Sequence, residues 1–218
     1  MRATVPARVG GTAVTALHPV FDLSGLVAVA VCWLPIPEDP VELVAGQLIP
    51  VGYDIVVCDR DTDLDAAVEI TGAAVGGQWP RSMIVAGHDL RPALDRMFML
   101  RSNVGGEDLL TQLRSGWVDR ALAERPRLID TAWDLGGPPR TAASPLAVSG
   151  GRAGLQSMVI GPEPGPEGLE RAALTSAVAV ALLASAELAG AGYRWSRPGL
   201  DLDALVTAAL GDPARRTS

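Results

Sequence analysis

Short runs of β-branched residues fill the first third of the chain. Further on, such runs alternate with stretches of helical periodicity. That order restricts the possible architectures more than any composition figure does. Residues 11–17 (GTAVTAL) and 26–34 (LVAVAVCWL) are bounded by Gly and Pro and predict strands. Residues 41–49 (VELVAGQLI) predict a third strand and 53–58 (YDIVVC) a fourth. The three prolines of PIPEDP make a turn short enough to pair 26–34 with 41–49 as antiparallel neighbours. Residues 82–86 (SMIVA) and 127–133 (RLIDTAW) predict two later strands, parallel to each other and each reached through a helix. Strands first, then helix and strand in alternation, predict an α/β domain with a mixed sheet and helices on both faces.

The helices follow from spacing. Leu90, Leu94, Met97 and Met99/Leu100 give an apolar face over 90–100, with Asp89 placed to cap it. Helices are also expected near 63–71, at 107–123, at 167–190 and in the closing DLDALVTAALGD. The helix at 167–190 is rich in Ala, and its apolar stripe (Leu174, Val178, Ala181, Leu182, Leu188) predicts burial. Its small residues would admit a sheet or a second chain, hence an expected homodimer. Residues 136–151, including AVSGG, read as a loop, and 212–218 as a frayed tail of a single domain spanning 1–218.

Composition narrows the function classes. The net charge is −7, and all 18 basic residues are Arg. An acidic balance argues against non-specific nucleic-acid binding, whose affinity comes from clustered cations on phosphates, while leaving room for a small local basic groove. Cys32 and Cys58 lie in apolar runs and predict buried free thiols. The absence of Lys excludes a Walker-type phosphate loop, and no His/Cys spacing suits zinc. G-x-S-x-G is absent. The N-terminal segment lacks the apolar core of a secretory signal, and Glu187 interrupts the longest apolar stretch. A cytoplasmic protein without a membrane span is the expectation. Asp59, Asp61, Asp63 and Asp65 resemble the start of a calcium loop, but Leu64 and Ile70 stand where that loop needs Gly and Glu.

The order VAVAVCWLPIPEDPVELVAGQLIPVGYDI, then EITGAAV, VAGHDLRPAL, RLIDTAWDL and RAALTSAVAVALL resembles the ribonuclease-H-like 3′–5′ exonuclease family. The resemblance covers roughly residues 12–188 and rests on order more than on identities. It implies a ribonuclease-H-like fold. It also implies two divalent metals, Mg or Mn, held by four carboxylates, with His or Tyr as base. His88 and Asp89 match the family's His-Asn pair, and Asp130-Thr131 its Asp-Thr. The acids are largely replaced. Asp22 of FDLSG stands at the first signature, but Ser24 replaces its Glu; Pro92 and Ala93 stand where Phe-Asp is expected. Asp95 lies two residues late, and Arg171 and Ser176 replace the last His and Asp.

The candidate catalytic residues are therefore Asp22, His88, Asp89 and Asp95, and a rebuilt metal site would draw on Asp22, Asp89, Asp95 and Asp130. Arg91, Arg96 and Arg101 are the candidate nucleic-acid contacts, the alternative being a solvated helix face. Trp117, Trp133, Tyr193 and Trp195 could stack on bases or pack a core. Three functions are consistent with these residues. One is a pseudoenzyme that binds a single-stranded nucleic-acid end or a protein partner. Another is a divergent metal-dependent exonuclease, and the third an unrelated α/β enzyme acting on a small molecule.

Overall fold

A computed structural model describes residues 13–22, 25–44, 47, 49–58, 67, 72, 82–100, 109–118, 127–135, 143, 145–157, 166–186, 192–196 and 199–211. The expected helix near 63–71, Asp59 to Asp65, Arg101 and the tail at 212–218 lie wholly or almost wholly outside them.

The centre is a five-stranded sheet. β1 (Ala13–Phe21) pairs antiparallel with β2 (Leu26–Pro35), and β2 pairs antiparallel with β4 (Gly52–Val57). On its other side β1 pairs in parallel with β5 (Ser82–Gly87), which pairs in parallel with β6 (Arg127–Asp130). The order is β4-β2-β1-β5-β6, a mixed sheet. The parallel pairing expected of the fifth and sixth strands is present.

The strand expected at 41–49 is corrected. β3 covers only Val41–Leu43 and pairs in parallel with β8 (Tyr193–Trp195), outside the main sheet. Pro35, Pro37 and Pro40 cannot donate to a ladder, so PIPEDP leads the chain away from β2 rather than reversing along it. The amide of Val41 donates instead to the Gly192 carbonyl at 3.0 Å. Residues 52–57 take the place beside β2, sending Tyr53 and Ile55 into the core.

Alternation along the strands feeds two cores, one on each face. Val14, Ala16, Ala28, Ala30, Cys32, Ile84 and Ala86 face α4 (Pro166–Ala186) and α5 (Leu202–Leu210). Leu17, Val29, Val31, Trp33 and Val85 face α1 (Leu90–Leu100) and α2 (Leu109–Val118). α1 buries Leu90, Leu94 and Met97, as its spacing predicts, while Met99 is 80% exposed. Asp201, in the short strand β9 (Leu200–Asp201), caps α5 through its carboxylate to the amides of Asp203 and Ala204.

α4 opens on Pro166 and Glu167, residues suited to a helix start. It is long and apolar enough to cross a membrane, yet it is buried within the protein from Ala172 to Ser185. Its apolar surface is used against the sheet. AVSGG is not a loop but part of α3 (Leu146–Ala153), which ends where Gly154 turns to φ +88°. That left-handed terminus favours glycine and stops the helix. Gly154 leads straight into β7 (Leu155–Gln156), which pairs in parallel with β9.

Candidate functional site at the carboxyl ends of β1, β5 and β6

After β1 the chain moves to β2 on one side, and it later returns to β5 on the other. In α/β sheets the crevice at the carboxyl ends beside such a switch point is where ligands bind. Here the three parallel strands deliver His18 on β1, His88 just past β5, and Asp130 with Thr131 at the end of β6.

Asp130 is 2% exposed and its carboxylate is surrounded by donors. Oδ1 accepts from the amides of Asp89 at 2.8 Å and Ala132 at 3.1 Å. Oδ2 accepts from the amide of Leu90 at 3.1 Å and the indole Nε1 of Trp117 at 3.2 Å. The carboxylate that meets the first amides of α1 is thus Asp130, from another strand. This corrects the capping role expected of Asp89. Asp89 itself adopts φ +48°, outside the extended backbone of an N-cap, and its Oδ1 accepts from Trp133 Nε1 at 3.2 Å.

His88 is held from one side. Its Nδ1 lies 2.9 Å from Thr131 Oγ1, and that hydroxyl donates to the Gly87 carbonyl at 3.1 Å. Thr131 Oγ1 thus links the ring to the end of β5, and the direction of its bond to Nδ1 follows the tautomer of the imidazole. The amide of Thr131 also donates to Gly87 O, at 2.8 Å, fixing the two strand ends to each other.

His18 is the neighbour of His88. Ala16 pairs with Ala86, so His18 and His88 each lie two residues beyond that pair on adjacent strands. Burial first, and then the nearby His88, lower the His18 imidazole from its usual value to about 4. Burial likewise raises the Cys32 thiol to about 12; Cys32 and Cys58 are both free thiols, as expected, with Cys58 half-buried.

The other candidates lie apart. Asp22 is in the turn after β1, where its Oδ1 accepts from the amide of Gly25 at 3.1 Å. Asp95 pairs with Arg114 at 2.6 Å, linking α1 to α2. Arg96 donates to the Asp22 carbonyl at 3.0 Å and covers the Phe21 ring at 4.4 Å, so it braces the hairpin; Arg91 is exposed on α1. Arg171 joins Asp203 and Thr207 on α5. Among the described residues no group of three or more His, Cys, Asp or Glu converges to hold a metal. Asp22, Asp89, Asp95 and Asp130 thus form no carboxylate cluster, and the donor set does not fit a pair of magnesium or manganese ions. Trp117 and Tyr193 are buried and Trp195 donates to the Ala153 carbonyl, so Trp133, 37% exposed, is the aromatic at the site.

Reading the sequence singled out His88, Asp89 and Asp130 but not the partnership of His18. The two are 70 positions apart, and only the parallel pairing of β1 with β5 brings them together. A signal existed: they are the chain's only histidines, and each lies in or at the end of an apolar run. No known protein family matches the chain, and no curated protein or solved structure matches it either.

Proposed function

We propose that this is a ribonuclease-H-like, exonuclease-like domain that has given up metal-dependent hydrolysis and acts by binding, its ligand the end of a single-stranded nucleic acid. The observation that carries this reading is the chemistry at the strand ends. The resemblance calls for four converging carboxylates there. Among the described residues the strand ends offer imidazoles and one buried carboxylate, Asp130, already occupied by four N–H donors. The element order supports the fold part of the reading. An antiparallel set, β1, β2 and β4, precedes two parallel strands and a long helix, with 52–57 rather than the expected 41–49 beside β2.

Two ions cannot be held against water without carboxylates to neutralise and position them. The purified protein is therefore expected to release no nucleotides from single-stranded DNA or RNA with Mg2+ or Mn2+. It should retain a labelled single strand in a chelator at low salt, measured by fluorescence anisotropy, with affinity falling as salt rises. Metal-dependent release that disappears in Asp22→Ala would favour the divergent exonuclease. Absence of both release and retention would leave a protein partner, or a second copy of the chain, as the ligand. A homodimer would use surface other than the small residues of α4, because Ala173, Ala177 and Ala184 are spent on the core and Ala172 is buried as well.

A further inference from the structure

We propose that Trp133 is the stacking platform for the terminal base of a single strand, a specificity that rests on the binding function proposed above. Three observations carry it. Among the described residues Trp133 is the exposed aromatic side chain, and it stands just past the end of β6, beside the switch point of the sheet. Its position is fixed twice. The Trp133 amide donates to the Asp130 carbonyl at 3.0 Å, in a turn closed again by Asp134, whose amide donates to the same carbonyl and whose Oδ2 accepts from the Asp130 amide, both at 2.8 Å. The indole Nε1 donates to Asp89 Oδ1 at 3.2 Å, reaching from the end of β6 to the end of β5. Finally, Asp89 holds φ +48°, a conformation uncommon for any residue with a side chain. Such backbone gathers where the surroundings must hold a site in shape.

An indole has one N–H to give, and here it is given to Asp89, so the exposed surface of Trp133 offers a ligand apolar, aromatic contact only. A flat ring suits such a surface. Every base has a π-face, so stacking accepts any base without reading its edge. The Asp89 carboxylate at the indole edge repels phosphate, which directs the base and not the backbone to the ring. An indole already held in place also loses less freedom when the base arrives. Stacking draws on no cations, which suits a chain of net charge −7.

The full chain labelled with fluorotryptophan carries five indoles, and Trp133→Phe assigns the one at the site. The probes are a short oligothymidylate and the same strand lacking its terminal base at one end or at the other. The intact strand is expected to shift the Trp133 fluorine signal. Removing the terminal base from one end should abolish that shift and weaken binding roughly 5–150-fold, the loss of one stacked base. Trp133→Ala should weaken binding of the intact strand by a similar factor at low and at moderate salt alike, because stacking releases no counterions. The inference fails if the strand binds by anisotropy yet leaves the Trp133 signal in place. It also fails if both strands with a missing base, or the Trp133→Ala variant, bind as tightly as the parent pair. In either case single-strand binding itself stands. If the parent retains no strand at all, the inference falls together with the proposed binding function. The comparison of strands on the parent needs no variant to fold.

Discussion

Asp130, at the end of β6, caps the helix that begins at Leu90, 40 positions earlier in the chain. The same carboxylate holds Asp89 N, Ala132 N and Trp117 Nε1. Removing it would leave several buried donors unpaired, each costing about 1–3 kcal/mol. Asp130→Ala is expected to lose at least about 3 kcal/mol in urea unfolding, a large share of a typical domain's stability. Asp130→Asn keeps one acceptor but turns an NH2 toward N–H donors, so a loss of about 2 kcal/mol is expected. Asp89→Ala should lose under about 1 kcal/mol, since its carboxylate serves one exposed indole. Equal losses for the two aspartates would refute the assignment of the cap.

Gly87 and Leu90 set the turn between β5 and α1. A Cβ placed on Gly87 would lie 2.5 Å from the Leu90 Cβ, and Leu90 is 1% exposed in the core under α1. Cβ of Leu90 cannot swing aside, so the backbone must move. Gly87→Ala is expected to destabilise by about 1–3 kcal/mol, the usual range for overpacking. It should also disturb His88, because the Thr131 hydroxyl that holds the ring rests on the Gly87 carbonyl. An unchanged melting temperature together with an unchanged His88 tautomer would exclude this account.

Local signals in the sequence were sufficient for β1, β2, β5, α1 and α4, because each is a run whose period or composition is decided within a few residues. α1 is the clearest instance: Leu90, Leu94 and Met97 are one stripe in sequence and one face in space. Non-local competition decided the rest. VELVAGQLI has the composition of a strand beside β2, yet the prolines before it and the open edge at Tyr193–Trp195 give Val41–Leu43 a different partner. The same holds at the site. Asp89 has the right residue type and position to cap α1, and nothing local reveals that Asp130 reaches its amides first.

α4 tests how tightly the face opposite α1 is packed. Ala177 is fully buried between the helix and the sheet, in a cluster where Ala28, Ala30, Ala86, Ala173 and Ala181 are also small. Small residues on both sides allow close approach, and an interior packed at native density leaves little room for a larger side chain. Ala177→Leu is expected to lower stability by about 1–3 kcal/mol or more. Arg171→Ala, which breaks a half-exposed pair with Asp203, should lose no more than about 1 kcal/mol. Thermal unfolding of the two variants side by side would separate the packing effect from the ionic one, and the reverse order would contradict the close-packed α4–sheet contact.

His18 makes stability depend on pH in a definite direction. Its imidazole is lowered from 6.5 to about 4 in the folded chain. Between those values the unfolded chain binds a proton that the folded chain does not, so stability falls as pH drops through that window. Below about 4 the folded form is protonated as well, and His18 contributes no further loss. A shift of this size corresponds to at most about 3 kcal/mol, and the partial exposure of His18 reduces it toward about 1–2 kcal/mol. His18→Gln removes the titrating group, so its stability should fall less than the parent's between pH 6.5 and 4, measured by urea unfolding at each pH. Carboxylates titrate in the lower part of this range in both proteins, and the difference between the two curves isolates His18. Parallel curves would show that the folded chain accommodates the charged imidazole, and with it that His18 is not enclosed beside His88.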